Sequence, residues 1–216
     1  MEFSLLAPAK IFPLKHYSQY TSMKFIHEDL GIEVPEGVYY PAEDSFLLVD
    51  VLEAEDLLGE NMLEMGCGSG FLSILCAKRG ADVTAADITE EAVNAAKTNA
   101  QSNGLKIHIV QSDLFENVNG KFDIIVFNPP YLPKEDDEEG DITYTGGQTG
   151  REVIEKFIAQ CKWHLEDKGR VLLLISSLTG YEEVIACFND SGFSVKTKAK
   201  QKLDWEELIV IEARTV

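Results

Sequence analysis

Asn128-Pro129-Pro130-Tyr131 is a tetrapeptide whose residue types suit a definite chemistry. Pro130 has no N–H and holds Pro129 extended, so the Asn128 amide oxygen and the Pro129 carbonyl can stand side by side as two acceptors. A planar –NH2 group needs such a pair, one acceptor for each proton. Tyr131 adds a ring on which a flat amide or a base can stack. A strand followed by a proline-rich turn has the same sequence pattern, and the tetrapeptide alone leaves the two readings level. Glu64 precedes Gly66-Cys67-Gly68-Ser69-Gly70, a GxGxG loop. Such glycines let a ligand approach the backbone closely, and a helix beginning at Phe71 would offer free N–H groups, so a nucleotide-like cofactor is implied. Phe71 stands where the dinucleotide GxGxxG pattern has its third glycine. Asp87 and Asp113 each close an apolar run, where a carboxylate can hold ribose hydroxyls or accept an adenine amino group. Each acid also has a plain structural use: Glu64 as a capping acid, Asp87 as the N-cap of a helix from Thr89, Asp113 as a turn residue.

The elements that must position these groups follow from periodicity. The run Ile124 to Phe127 reads as a parallel strand covered on both faces, and in open α/β sheets ligands sit beyond the carboxyl ends of such strands. Val83–Ala86 and Lys106–Val110 read as further strands, as does the stretch from Met62 to the loop. Three successive strands thus end in an acid and the fourth in Asn128, a coincidence of position that turn residues placed by chance need not share. Phe46, Leu47, Leu48, Val51, Leu52 and Leu58 recur at helical spacing after Pro41-Ala42-Glu43-Asp44-Ser45, with Gly59 as the expected end. Helices are expected over Glu152–Leu165 and Tyr181–Asp190, and strands over Gly169–Ser176, Phe193–Thr197 and Leu208–Ala213. Alternation of strand and helix predicts a doubly wound α/β sheet.

Composition narrows the function classes. The 216 residues carry a formal charge of −18, which repels phosphate backbones and disfavours unaided nucleic-acid binding. No apolar run approaches membrane-span length and no basic n-region opens the chain, so a cytoplasmic protein is expected. Cys67, Cys76, Cys161 and Cys187 are scattered without a CxxC, and the histidines do not join them at ligand spacing; free thiols and no metal are expected. Residues 1–37 read as an N-terminal extension, broken by prolines and glycines, and 38–216 as one domain.

Over about residues 38–216 the chain resembles a class I S-adenosylmethionine-dependent methyltransferase. Glu64-Met65-Gly66-Cys67-Gly68-Ser69-Gly70, Asp87 and Asp113 carry that likeness. The segments VYYPAEDSFLL, FNPPYLP and GGQTGREVIEKF resemble, more narrowly, the short eukaryotic and archaeal branch of the HemK-like release-factor glutamine methyltransferases. The resemblance implies a Rossmann-like, seven-stranded, mostly parallel sheet. It implies that Glu64, Gly66, Gly68 and Gly70 hold the methionine portion of S-adenosylmethionine, Asp87 the ribose, Asp113 and Leu114 the adenine, and that Ser45 and Asn128 border the cofactor. Tyr40 departs from the pattern where the family commonly has an acid. A further implied feature is a small zinc-ribbon activator protein adding a strand along Lys106–Val110, an edge strand in such a sheet whose Ile107, Ile109 and Val110 are apolar for an exposed edge.

Three function classes follow. The favoured one is N5-methylation of the glutamine in the GGQ motif of a translation release factor, with Asn128, Pro129, Pro130 and Tyr131 serving the acceptor. An adenine-N6 nucleic-acid methyltransferase would present the same –NH2 group but needs base flipping and a basic surface. A non-catalytic subunit would not need the intact loop, acids and Asn128. The run Glu135–Asp141, six acids in seven residues, reads either as a solvated loop or as a dock for a basic protein segment. The chain's own Gly146-Gly147-Gln148 is read as coincidence.

Overall fold

The computed structural model describes residues 22–131 and 147–216. The acidic run at 135–141, Gly146 and residues 1–21 lie outside the described residues. The chain opens with β1 (Ser22–His27) and β2 (Leu30–Pro35), an antiparallel hairpin, followed by α1 (Glu43–Glu53), β3 (Asn61–Met65), α2 (Phe71–Lys78), β4 (Asp82–Asp87) and α3 (Glu90–Ser102). It continues through β5 (His108–Gln111), β6 (Phe122–Phe127), α4 (Glu152–Cys161), β7 (Leu165–Ser176), α5 (Tyr181–Asp190), β8 (Phe193–Lys202) and β9 (Glu207–Thr215).

Seven strands form one sheet in the order β5-β4-β3-β6-β7-β9-β8. The first five are parallel; β9 runs antiparallel between β7 and β8. This is the Rossmann-like seven-stranded, mostly parallel sheet that the resemblance implied. Strand pleating sends alternate residues to opposite faces. Ile124 and Val126 of β6 therefore join Leu48, Leu52, Ile74 and Leu75 of α1 and α2, while Ile125 and Phe127 join Ile154, Phe157, Val184 and Phe188 of α4 and α5. Both faces are covered, which is why the β6 run is almost continuously apolar. From β3 the chain winds outward through β4 to β5, then returns past β3 to β6. That reversal opens a crevice between the carboxyl ends of β3 and β6.

Several boundaries differ from the periodicity. The α1 helix stops at Glu53, because Leu57 turns into the core as a separate anchor while Leu58 stays exposed. Gly59 ends no helix; its N–H donates to the Gly80 carbonyl at 2.9 Å and ties two loops together. The β8 strand continues past Thr197 to Lys202 with an alternating lysine row, matched by Glu55, Glu207 and Glu212. From the sequence stretch 1–37, residues 22–35 form the hairpin, and Leu30, Ile32 and Val34 are buried in the core of the sheet domain. The hairpin is stitched to α3: Asn99 and Asn103 each exchange side-chain hydrogen bonds with the β2 backbone, at Glu33 and Gly31.

Candidate active site

The groups singled out from the sequence arrive at one edge of the sheet. Glu64 lies near the end of β3, Asp87 ends β4, Asp113 and Leu114 follow β5, and Asn128 to Tyr131 follow β6. The loop between β3 and α2 is tightly packed at two of its glycines. A Cβ on Gly70 would stand 2.9 Å from the Ala96 Cβ and one on Gly66 would stand 3.2 Å from the Phe127 ring, both at positive φ. A Cβ on Gly68, by contrast, would meet nothing nearer than Val38 at 4.0 Å, so this glycine faces open space.

Glu64 is buried and accepts the Ser73 N–H at 2.8 Å and the Ser73 hydroxyl, so it does cap the first turn of α2. Burial pushes its carboxyl up to about 8, against the pull of Ser73 and with the nearby Asp87 adding to the rise. Asp87 Oδ2 accepts the Gly68 N–H at 2.9 Å, and Oδ1 accepts the Thr89 N–H at 3.0 Å and hydroxyl at 3.1 Å. The N-cap of α3 is Thr89, whose side chain accepts from Ala92. Asp87 instead shapes the turn and fixes the glycine loop. With about four lone-pair positions on a carboxylate and three used, one on Oδ2 remains. Asp113 is exposed. Leu114 takes a φ of 46°, and the Ser112 hydroxyl donates to its carbonyl. A branched side chain at positive φ is strained, so the turn holds Leu114 in that pose at some cost.

Asn128 carries the most telling atom. Its Oδ1 is sealed from solvent and has no hydrogen-bond partner among the described residues. Pro129 behind it is buried. The Tyr131 ring is half-buried against the core. Burial, then the charges of Asp44, Glu206 and Glu43, push the phenol's pKa well above the usual range. Ser45 is buried in the first turn of α1, its hydroxyl donating to Asp44 at 3.2 Å. Tyr40 packs edge-to-face on Phe25 beside Phe71, the residue after the loop. Among the described residues no cluster of His, Cys, Asp or Glu is arranged to hold a metal.

The methyltransferase small domain model matches residues 42–202. The chain belongs to that family. These methyltransferases include a protein of Methanocaldococcus jannaschii, named provisionally as a protein N5-glutamine methyltransferase, that is 44% identical over 191 residues, 86% of this chain and 96% of that one. A release factor glutamine methyltransferase of Streptococcus pneumoniae is 32% identical over 71% of this chain and 58% of its own length. Among solved structures, the E. cuniculi Mtq2–Trm112 complex, responsible for methylating the termination factor eRF1, matches with a TM-score of 0.69 at 28% identity, covering 83% of this chain and 99% of that one.

In this methyltransferase two groups at the site escaped the sequence analysis. Ile88 follows Asp87 with its side chain 48% exposed, and its carbonyl accepts from Gln111, so an apolar surface stands at the end of β4. A loop isoleucine in sequence carries no sign that it is exposed. Asp44 was noted only as a helix-start acid, although Tyr39 five residues before it supplies the hydroxyl that both of its oxygens accept.

Proposed function

We propose that this chain transfers a methyl group from S-adenosylmethionine to the side-chain amide nitrogen of a glutamine, the GGQ glutamine of a translation release factor. The observation that carries this is the unsatisfied Asn128 Oδ1: a buried acceptor without a donor is rare and calls for a ligand donor, here one N–H of the substrate amide. The Pro129 carbonyl would take the second N–H.

The residues present fit the cofactor. The open face at Gly68 and the backbone of the loop suit a close ligand, and Glu64 closes the methionine end. The remaining lone pair of Asp87 suits a ribose hydroxyl, Leu114 and Ile88 offer apolar faces for a base, and Asp113 an acceptor for its amino group. When bound, S-adenosylmethionine supplies a methyl carbon made electrophilic by the cationic sulfur. An amide nitrogen is a poor nucleophile, its lone pair delocalised into the carbonyl. Two hydrogen bonds fix its protons and aim it, so positioning and electrostatics carry the rate. The nitrogen gains a methyl and loses a proton after transfer, and no side-chain base is required.

The named activities of the Methanocaldococcus and Streptococcus relatives support the substrate, and a charge of −18 opposes an unaided nucleic-acid substrate. A small activator subunit, a zinc ribbon, would pair with β5. The E. cuniculi complex supports a partner of this kind, and β5 is the sheet's edge. Ile107 and Ile109 there line a hollow of about 500 Å³ beside α3. The described hairpin packs on α3 and leaves that edge unpaired. Termination factors act in the cytoplasm, where the enzyme would work; no described helix is long and apolar enough to cross a membrane.

Labelled-methyl transfer to the cognate release factor, to its Gln→Ala variant and to duplex DNA in parallel tests this function. Label in the release factor alone is the expected result. Equal label in the Gln→Ala variant, or label in DNA, overturns it.

A further inference from the structure

We infer that Asn99 is a positioning residue for the cofactor: from α3 it ties the N-terminal hairpin to the glycine loop and so sets the pose of the Ser69 peptide. Asn99 is 2% exposed. Its Oδ1 accepts the Glu33 N–H at 2.9 Å, and its Nδ2 donates to the Glu33 carbonyl at 2.8 Å and to the Ser69 carbonyl at 2.9 Å. Turning the amide over would set its NH2 against an N–H and its oxygen against two carbonyls, so the partners fix its orientation. Anchoring the hairpin accounts for the two bonds to Glu33, and Asn103, one turn further along α3, does the same at Gly31. It does not account for the third. The other bond of Asn103 goes to the Asn99 carbonyl, within the helix and not to the loop.

The loop needs such an anchor. Gly66, Gly68 and Gly70 all sit at positive φ, and a stretch so rich in glycine has much freedom to lose when it closes on a ligand. The β4 strand restrains its first part, where the Cys67 N–H donates to the Ala86 carbonyl at 3.0 Å and the Gly68 N–H to Asp87. The α3 helix holds its second part, through Asn99 at the Ser69 carbonyl and through Ala96, on which Gly70 packs. Ser69 is 2% exposed, so water is poorly placed to replace a lost donor there. The hairpin meets the end of the loop a second time. Phe25 and His27 pack edge-on against Phe71, the next residue, with ring centroids 5.1 and 5.3 Å away. A loop held from both sides is ordered before the ligand arrives, and binding then costs less. The effect on affinity rests on the reading that this loop holds S-adenosylmethionine; the anchorage rests on geometry alone.

The full chain is tested as Asn99→Ala and Asn103→Ala, which both loosen the hairpin from α3, while only the first frees Ser69. Both should melt earlier than wild type. In calorimetric titrations well below the melts, Asn99→Ala is expected to bind S-adenosylmethionine about 10-fold more weakly, and Asn103→Ala within about two-fold of wild type. With cofactor saturating, kcat of Asn99→Ala stays within about three-fold, because Asn128 follows β6 and not the loop. In the ligand-free chain, hydrogen exchange at the Gly70 N–H, which donates to the Cys67 carbonyl at 2.7 Å, quickens in Asn99→Ala and not in Asn103→Ala. Equal losses of affinity in the two variants overturn the inference, since the hairpin would then act through stability alone. Wild-type affinity in Asn99→Ala overturns it as well. Gly68→Ala, titrated beside them, separates the two failures: if it too binds normally, the loop's cofactor role falls, and if it binds weakly, only the role of Asn99 does. Asn99→Ser, smaller and still polar, takes the place of Asn99→Ala if that protein does not fold.

Discussion

A side-chain amide oxygen shut away from water with no donor costs about 1–3 kcal/mol, and Asn128 carries one at the end of β6. Asn128→Ala is therefore expected to leave the melting temperature unchanged or raise it, while turnover falls about 10²-fold and S-adenosylmethionine affinity stays within a few-fold. Stopped-time assays beside calorimetric titration measure all three; wild-type turnover would remove the amide clamp. Glu64 predicts a pH effect. Its folded-state carboxyl sits at about 8, above the ordinary value of 4.5, so the folded chain retains a proton that the unfolded chain gives up between those limits. The stability contributed is complete below about pH 4.5 and is lost as pH rises through 8. Thermal melts of the chain without ligand should show a smaller decline over that window for Glu64→Gln than for wild type. An identical slope would show that Glu64 ionises without difficulty. At this scale the sequence was informative for residues whose role follows from standing at a strand's end, as Asn128 and Asp87 do. Asp44 was opaque because its partner Tyr39 lies in the loop before α1, where no periodicity marks which side chains meet.

The loop between β3 and α2 separates two uses of glycine. Gly70→Ala drives a Cβ into Ala96 at positive φ and should destabilise the domain by about 1–3 kcal/mol. Gly68→Ala meets no protein atom nearer than Val38 at 4.0 Å and costs only its φ strain, yet it fills the face proposed for the cofactor. Thermal melts and titrations on both variants should therefore rank them oppositely, Gly70→Ala the worse in stability and Gly68→Ala in affinity. The same order for both measurements would place the cofactor elsewhere. Elements with a buried face on each side were the most legible: the apolar run Ile124 to Phe127 marks the part of β6 that is covered above and below. The hairpin was missed because six-residue strands whose outer face is polar leave a weak alternation, with Pro35 and Gly31 inside or at the end of it. The end of α1 was overestimated because Leu58 keeps the helical spacing, seven residues after Val51, although the helix has already stopped.

Across the molecule, one edge of the sheet is β5 and the other β8. The β8 edge carries lysines matched to acids. Glu212, 2% exposed, is pushed up by burial but brought down further by Arg214 and Lys196, to about 2. The β5 edge has no such row, and Ile107 and Ile109 stay half-covered there. Ile109→Asp should abolish co-purification with a small activator subunit while the isolated chain keeps its S-adenosylmethionine affinity, since a buried unpaired charge costs several kcal/mol at an interface and little in water. Recovery of the complex at wild-type yield would exclude this edge. The sheet's class was legible from alternation of strand and helix; the edge position of β5 came from the family resemblance, because periodicity reports what a strand buries and not its neighbour.

The position of β9 between β7 and β8 also bears on biosynthesis. The ribosome releases β8 first, so residues 193–202 emerge before the strand that must separate them from β7 exists. Until residues 207–215 follow, β8 has no strand to pair with, whereas the five parallel strands that lead to Glu64, Asp87 and Asn128 are already out. A chain that has emerged only as far as residue 203 thus presents the crevice between β3 and β6 beside a β8 whose Lys196 and Lys200 still lack Glu212 and Glu207.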